Sequence, residues 1–116
     1  MTKIAVCSAG ESLSSNLDGR FGRCAYLILW DQDSDSYEAI PNQAVEQAHG
    51  SGTSTAQILV TKGVQKLIVS RIGPKAYEVI AKSGIKVYRA EEDQTVQAVL
   101  DKCLEGDLQE LHKPNN

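Results

Sequence analysis

A long polar loop over residues 8–25 carries the side chains best suited to chemistry. Arg20 and Arg23 flank Phe21 and Gly22, and Cys24 follows directly. A guanidinium offers a fixed fork of donors that matches anions, and neighbouring cations lower the pKa of a thiol. We therefore predict an anion site in this loop, with Cys24 as the candidate metal ligand.

Two further segments are candidates for the same anion. Arg71 follows an apolar run over 67–69, and a glycine-rich segment precedes a predicted helix. Exposed N–H groups at a helix start attract anions, although this segment lacks the Gly-Lys-Ser/Thr of a phosphate-binding loop. The alternative for the arginines is that they are solvated surface charges, and the alternative for the glycine-rich segment is that it is a flexible entry to the helix. The predicted segment comprises His49, Gly50, Ser51, Gly52 and Thr53.

The remaining cysteines and the histidines suggest neither a disulfide framework nor a zinc centre. Cys7 ends an apolar strand and Cys103 lies on the apolar stripe of the last helix, so both are predicted core residues. Three cysteines at irregular spacing fit free thiols, and no Cys/His quartet with zinc spacing is present. His49 is a second candidate metal ligand, and the alternative for it is a solvated side chain in a flexible loop. No nucleophile with a base and an orienting group is evident, which predicts a protein that is not an enzyme.

Charge and hydropathy exclude several classes of partner. The net charge is −3 without a basic cluster, whereas nucleic-acid binding and docking on anionic membranes need a basic face. No apolar run approaches the length of a membrane span, and the first residues do not form a signal peptide. We therefore expect a cytoplasmic protein that binds neither nucleic acid nor membrane.

The elements that must position these residues are predicted in the order β-β-β-α-β-α-β-α. Strands are predicted over 3–7, 26–30, 37–40, 64–69 and 85–88, and helices over 53–62, 74–83 and 96–105. The second and third strands form an antiparallel hairpin, and the later strand–helix–strand unit is a parallel crossover. The prediction is one α/β domain over 1–108, with the hairpin at one side of a mixed five-stranded sheet, and a frayed tail over 109–116.

Read together, segments between Lys3 and Leu104 resemble the dinitrogenase iron–molybdenum cofactor biosynthesis family, which includes NifX, NafY and the C-terminal part of NifB. Their order and spacing are more specific than any single piece. The segments are Lys3-Ile4-Ala5-Val6, Leu17-Asp18-Gly19-Arg20-Phe21-Gly22-Arg23-Cys24, Gly50-Ser51-Gly52 with Ala56-Gln57, Lys62-Gly63-Val64, Ile72-Gly73-Pro74-Lys75-Ala76 and Ser83-Gly84-Ile85-Lys86-Val87-Tyr88.

The resemblance implies a three-layer α/β/α, ribonuclease-H-like fold. It also implies non-catalytic binding of a metal–sulfur cluster or its precursor, of the iron–molybdenum cofactor type or the molybdenum–copper sulfide type. Asp18 would belong to the binding loop with the arginines. Cluster-assembly or nucleotide-binding proteins are the implied partners.

One departure from the family pattern affects how a cluster would be held. Nitrogenase-associated members tend to have His-Phe-Gly where this chain has Arg20-Phe21-Gly22. The missing imidazole favours holding an anionic sulfide cluster by charge and hydrogen bonds. The alternative function is a metal-free accessory module that binds a partner protein or a small oxyanion.

Overall fold

A mixed six-stranded sheet forms the centre of the computed structural model, which describes residues 3–42 and 51–115 and, at Ser51, only the backbone. The described elements follow the chain in a β-β-β-α-β-α-β-α-β order. They are β1 (Lys3–Ser8), β2 (Tyr26–Asp31), β3 (Ser36–Pro41), α1 (Ser51–Thr61), β4 (Lys66–Val69), α2 (Pro74–Lys82), β5 (Lys86–Arg89), α3 (Val96–Glu105) and β6 (Gln109–Leu111).

The strand order is β3-β2-β1-β4-β5-β6. β1, β4 and β5 run parallel, while β2 and β3 form an antiparallel hairpin at one side of them. This confirms the predicted α/β class, the mixed sheet and the lateral hairpin. β1 and β4 are neighbours, but the chain continues from β1 to β2 on one side and from β4 to β5 on the other. The loops that follow β1 and β4 therefore diverge at the carboxyl edge of the sheet, where ligands of such folds bind.

Helices cover both faces of the sheet because successive residues of each strand point to opposite sides. In β1, Ala5 and Cys7 pack on the side that carries α1 and α2, whereas Ile4 and Val6 pack on the side that carries α3. The strand is therefore buried on both faces, which explains its continuous apolar sequence.

Local signals set the helix ends. Thr95 caps α3, since its Oγ1 accepts a hydrogen bond from the Ala98 N–H at 3.1 Å, and Gly106 ends this helix in the left-handed region at φ 78°. Pro74 opens α2 at a position where its missing N–H costs nothing. α1 begins two residues before the predicted start at 53.

The predicted number of strands is wrong, because the segment expected to fray supplies β6. Leu111 and Gln109 pair with Val87 and Arg89 of β5 in antiparallel register. The Tyr77 hydroxyl also donates to the Leu111 carbonyl at 3.2 Å. Hydrogen bonds to two elements order a strand that is too short to show a sequence pattern of its own.

Candidate functional site

The loop between β1 and β2 is fixed along its length by backbone hydrogen bonds. The Ala9 N–H donates to the Asn16 carbonyl, and the Leu17 N–H donates to the Gln94 carbonyl, both at 2.9 Å. The Asp18 N–H then donates to the Cys7 carbonyl at 2.9 Å. The 9–25 connection is therefore anchored to β1 and to the segment before α3.

A tight turn presents the arginines of this loop. The Asp18 carboxylate accepts from the Arg20 backbone N–H at 3.1 Å, and the Arg23 N–H donates to the Arg20 carbonyl at 2.9 Å. Gly22 stands third in that turn with φ 94°. A turn of this kind requires a positive φ at its third position, and glycine adopts it without strain.

The loop after β4 meets this turn directly. Arg71 and Arg20 form an isolated parallel β-bridge, which fixes their backbones beside each other. The Asn115 side chain holds the same loop from the other side, accepting from the Ile72 N–H at 2.9 Å and donating to the Ser70 carbonyl at 3.0 Å. The position of Arg71 is thus set by contacts on both sides of its loop.

A pocket of about 280 Å³ lies where the two loops meet. Guanidinium groups from both loops line it, together with two glycines and one aromatic ring. The lining residues are Gly19, Arg20, Phe21, Arg23, Arg71 and Gly73. Three cationic side chains and little bulk from the glycines suit the charge and size of a compact anion.

Two of the guanidinium groups already have carboxylate neighbours. Arg20 Nε lies 3.4 Å from Asp18 Oδ1, and Arg71 Nη2 lies 3.3 Å from Glu92 Oε1. Both arginine side chains are more than half exposed, so these pairs contribute little to stability. An incoming anion would compete with these carboxylates for the guanidinium groups.

Cys24 lies beneath the turn rather than on the wall of the pocket. Its side chain is fully buried, and Asn42 Nδ2 donates to its carbonyl at 3.0 Å and to its Sγ at 3.7 Å. A hydrogen bond from the Cys7 thiol is the main cause that lowers the pKa of Cys24. The same contact, reinforced by burial, raises the pKa of Cys7 well above its usual value.

The start of α1 is connected to this region through Asn42. The Thr55 hydroxyl donates to Asn42 Oδ1 at 3.3 Å, and Asn42 Nδ2 reaches the Gly22 carbonyl at 3.5 Å. Of the predicted glycine-rich segment, Gly52 and Thr53 lie in the first turn of α1, with Gly52 close to Ala76 of α2. Ser51 begins that helix, while His49 and Gly50 lie outside the described residues.

Comparison with known proteins identifies the family of this chain. Residues 2–106 match the family described as dinitrogenase iron-molybdenum cofactor. The chain belongs to this family. An uncharacterized protein of Methanocaldococcus jannaschii is 35% identical over 101 residues, which span 84% of this chain and 85% of the relative.

Two solved structures of similar sequence share the fold over the whole chain. The apo form of the orange protein from Desulfovibrio gigas superposes with a TM-score of 0.95 at 33% identity, covering 100% of this chain and 98% of that protein. A putative NifB protein from Thermotoga gives a TM-score of 0.87 at 40% identity, with the same coverage. Within residues 3–42 and 51–115, no helix has the length and apolar character needed to cross a membrane.

Two residues that shape the site, Glu92 and Asn42, were not predicted from the sequence. Glu92 pairs with Arg71 and lies against Gly19, where a Cβ would overlap it. Asn42 connects the turn to α1. Each follows a predicted strand that ends at the pocket edge of the sheet, and that position is the signal that would have indicated them.

Proposed function

We propose that this chain binds and carries an anionic metal–sulfur cluster or its precursor, in which molybdenum is combined with iron or copper, and that it catalyses no reaction. The observation that carries the proposal is the pocket in which Arg20, Arg23 and Arg71 come together from two loops. On a chain with a net charge of −3, this is a local concentration of positive charge. Membership of the cofactor family supports a cluster as the anion.

The size of the pocket favours a compact inorganic anion. At about 280 Å³ it lies near the lower end of the range of small-molecule pockets, which is about 300–1,000 Å³. Phe21 and the Cα atom of Gly73 offer apolar contact to sulfur atoms, while the guanidinium groups donate hydrogen bonds to them.

Charge and hydrogen bonds are the proposed means of holding the cluster. Among the described residues, no group of three or more His, Cys, Asp or Glu side chains is arranged to hold a metal ion. Cys24 is buried beneath the turn, so a thiolate bond from it to a ligand in the pocket would require the turn to move. Tetrathiometallates carry net negative charge on their sulfurs, and arginines can retain such an anion without a full set of protein ligands.

Reconstitution with tetrathiomolybdate, with and without copper or iron, tests the proposal. Binding is followed by absorption spectroscopy and metal analysis at low and high salt. We compare the wild type with Arg20→Ala plus Arg23→Ala, with Cys24→Ser, and with a charge-matched control, Lys82→Ala plus Lys102→Ala, whose residues lie on α2 and α3. We expect loss of binding in the arginine variant alone.

The salt dependence separates the two modes of holding. Electrostatic binding weakens as ionic strength rises, whereas direct thiolate bonds are much less sensitive. Loss of binding in Cys24→Ser with retention in the arginine variant would make this a thiolate site. If the wild type binds none of the clusters, the proposal fails in favour of a metal-free module for a partner protein or an oxyanion.

A further inference from the structure

Cys7 and Cys24 form a buried thiol pair beneath the pocket. Cys7 lies in β1 and Cys24 stands two residues before β2, the strand that pairs with β1. Both side chains are 0% exposed and belong to the same core cluster. The two thiols are hydrogen-bonded to each other, so the two sulfur atoms are neighbours in the core.

A buried amide is directed at this pair. Asn42 is 3% exposed, and its Nδ2 lies 3.7 Å from the Sγ of Cys24. The Thr55 hydroxyl fixes the orientation of the amide by donating to Asn42 Oδ1. The same Nδ2 donates to the Cys24 carbonyl at 3.0 Å, which holds the amide against this residue. An N–H group close to a sulfur atom stabilises negative charge there.

The pair is chemically unequal before anything binds. Cys7 acts as the donor, its pKa raised by this contact and by burial. Cys24 is the acceptor, and its pKa is lowered by the Cys7 thiol and further by the Asn42 amide, against the opposing effects of burial and of the Asp18 carboxylate.

We propose that Cys7 and Cys24 are the two ligands of a site for one soft, monovalent d¹⁰ metal ion of the Cu(I) class. Thiolates are the ligands that select Cu(I), and this ion is stable with two sulfur ligands. A structural zinc site needs four protein ligands, which these residues do not supply. On binding, the ion replaces both thiol protons: M⁺ + 2 RSH gives [M(SR)₂]⁻ + 2 H⁺, with no change of oxidation state.

This site is distinct from the arginine pocket but joined to it through the chain. The Asp18 N–H donates to the Cys7 carbonyl, and Cys24 follows Arg23, so both ends of the turn that lines the pocket meet at Cys7. A metal ion bridging the two sulfurs would tie the base of this turn to β1. Both thiols are buried, so binding of the ion requires a local opening of the fold.

The test is an anaerobic titration of the reduced, full-length protein with Cu(I) buffered by bicinchoninate. Sulfur-to-copper charge-transfer absorption and metal analysis report binding. We expect one Cu(I) per wild-type chain, and affinity lower by on the order of 100-fold in Cys7→Ser and in Cys24→Ser, since each removes half of the ligands. Cys103→Ser is the matched control, because Cys103 packs on the opposite face of the sheet.

Two further measurements keep the proposal falsifiable if a serine variant does not fold. X-ray absorption of the copper-loaded wild type should show two sulfur ligands. Titration with Ag(I), which undergoes no redox chemistry under these conditions, should give the same stoichiometry. The proposal would be overturned if bicinchoninate removed copper from the wild type as readily as from Cys7→Ser. Coordination of the copper by nitrogen and oxygen atoms would also overturn it.

The outcome is separable from that of the cluster proposal. Arg20→Ala plus Arg23→Ala should retain Cu(I) binding, while folded Cys7→Ser should retain binding of tetrathiomolybdate. Loss of both activities in both variants would contradict the assignment of two separate sites.

Discussion

Arg20 and Arg71 are joined backbone to backbone by a parallel β-bridge, although they come from two different loops. Like charges held side by side repel each other, and each of these side chains has a carboxylate neighbour, Asp18 for Arg20 and Glu92 for Arg71. The fold thus fixes two cationic residues in place and supplies each with an internal counter-ion. An external anion must compete with those carboxylates for the two guanidinium groups. This competition can be measured by removing one of the carboxylates.

Removing the carboxylate beside Arg71 should strengthen anion binding. In Glu92→Gln, the guanidinium loses the partner now 3.3 Å away. Exposed pairs of this kind are worth about 0.2–1 kcal/mol, so we expect affinity for tetrathiomolybdate at low salt to rise by about 1.4- to 5-fold. An absorption titration measures it.

Glu78→Gln is the control for this change. It alters the net charge equally, but Glu78 pairs with Lys82 on α2. Equal gains in both variants would show that only net charge matters, and a loss of affinity in Glu92→Gln would contradict internal competition.

Gly19 offers a second way to displace the same carboxylate. A Cβ at this position would overlap the side chain of Glu92, while the backbone of Gly19 lies outside the left-handed region. Because the Glu92 carboxylate is half exposed and flexible, Gly19→Ala should move it aside, with a change in the free energy of unfolding below about 1 kcal/mol. Tetrathiomolybdate affinity should rise in the wild-type background and stay unchanged in the Glu92→Gln background.

Urea unfolding and anion titration of the two single variants and the double variant measure both effects. Additive gains in affinity would show that Gly19 and Glu92 act independently. A loss of stability well above 2 kcal/mol would show that the glycine is needed for packing instead.

The sequence predicted most of the sheet because its inner strands are buried on both faces. The apolar runs over 3–7 and 67–69 are typical of strands that are buried on both faces. The acidic turn between the second and third strands indicated the hairpin. β6 was not predictable in this way. Its three residues show no alternation, and they are ordered by pairing with β5 and by the Tyr77 hydroxyl, contacts that depend on the finished fold.

The arginines of the site were recognisable, whereas their surroundings were not. Arg20, Arg23 and Arg71 follow predicted parallel strands, and the rule for ligand sites in such sheets brings those loops to one edge. The contact between Cys7 and Cys24 has no local signal, because 17 positions separate them and Cys7 matches an ordinary core residue. Asn42 gains its role only when α1 packs beside the turn.

Asn115 should stabilise the loop that presents Arg71. Asn115 makes two side-chain hydrogen bonds to that loop, at 2.9 and 3.0 Å, and its N–H donates to the Ile72 carbonyl at 3.2 Å. Each net side-chain hydrogen bond contributes about 0.5–1.5 kcal/mol, so Asn115→Ala should lower the free energy of unfolding by about 1–3 kcal/mol. Urea unfolding measures this, with the exposed Lys113→Ala as control, and equal stability of the two variants would contradict the anchoring role.

Cys103 should make part of the stability depend on alkaline pH. Burial raises the pKa of the Cys103 thiol above the usual value for a thiol, and the positive charge of Lys66 opposes this effect. The folded protein therefore keeps this proton at a pH where the unfolded chain has released it. By linkage, the stability due to this group is fully present below about pH 9 and is lost as the pH rises toward the folded pKa.

Cys103→Ala removes this titration and leaves a small cavity in the α3 face of the core. The cavity lowers the free energy of unfolding by a similar amount at every pH, about 1 kcal/mol. Urea unfolding at pH 7, 8.5 and 10 should therefore show a gap between wild type and variant that is constant up to pH 8.5 and narrower at pH 10. Cys7, Cys24 and Tyr88 are present in both proteins, so their titration largely cancels in the comparison. A gap that widens at pH 10 would mean that the Cys103 thiol ionises more readily in the folded protein than in the unfolded chain, contrary to its burial on the core face of α3.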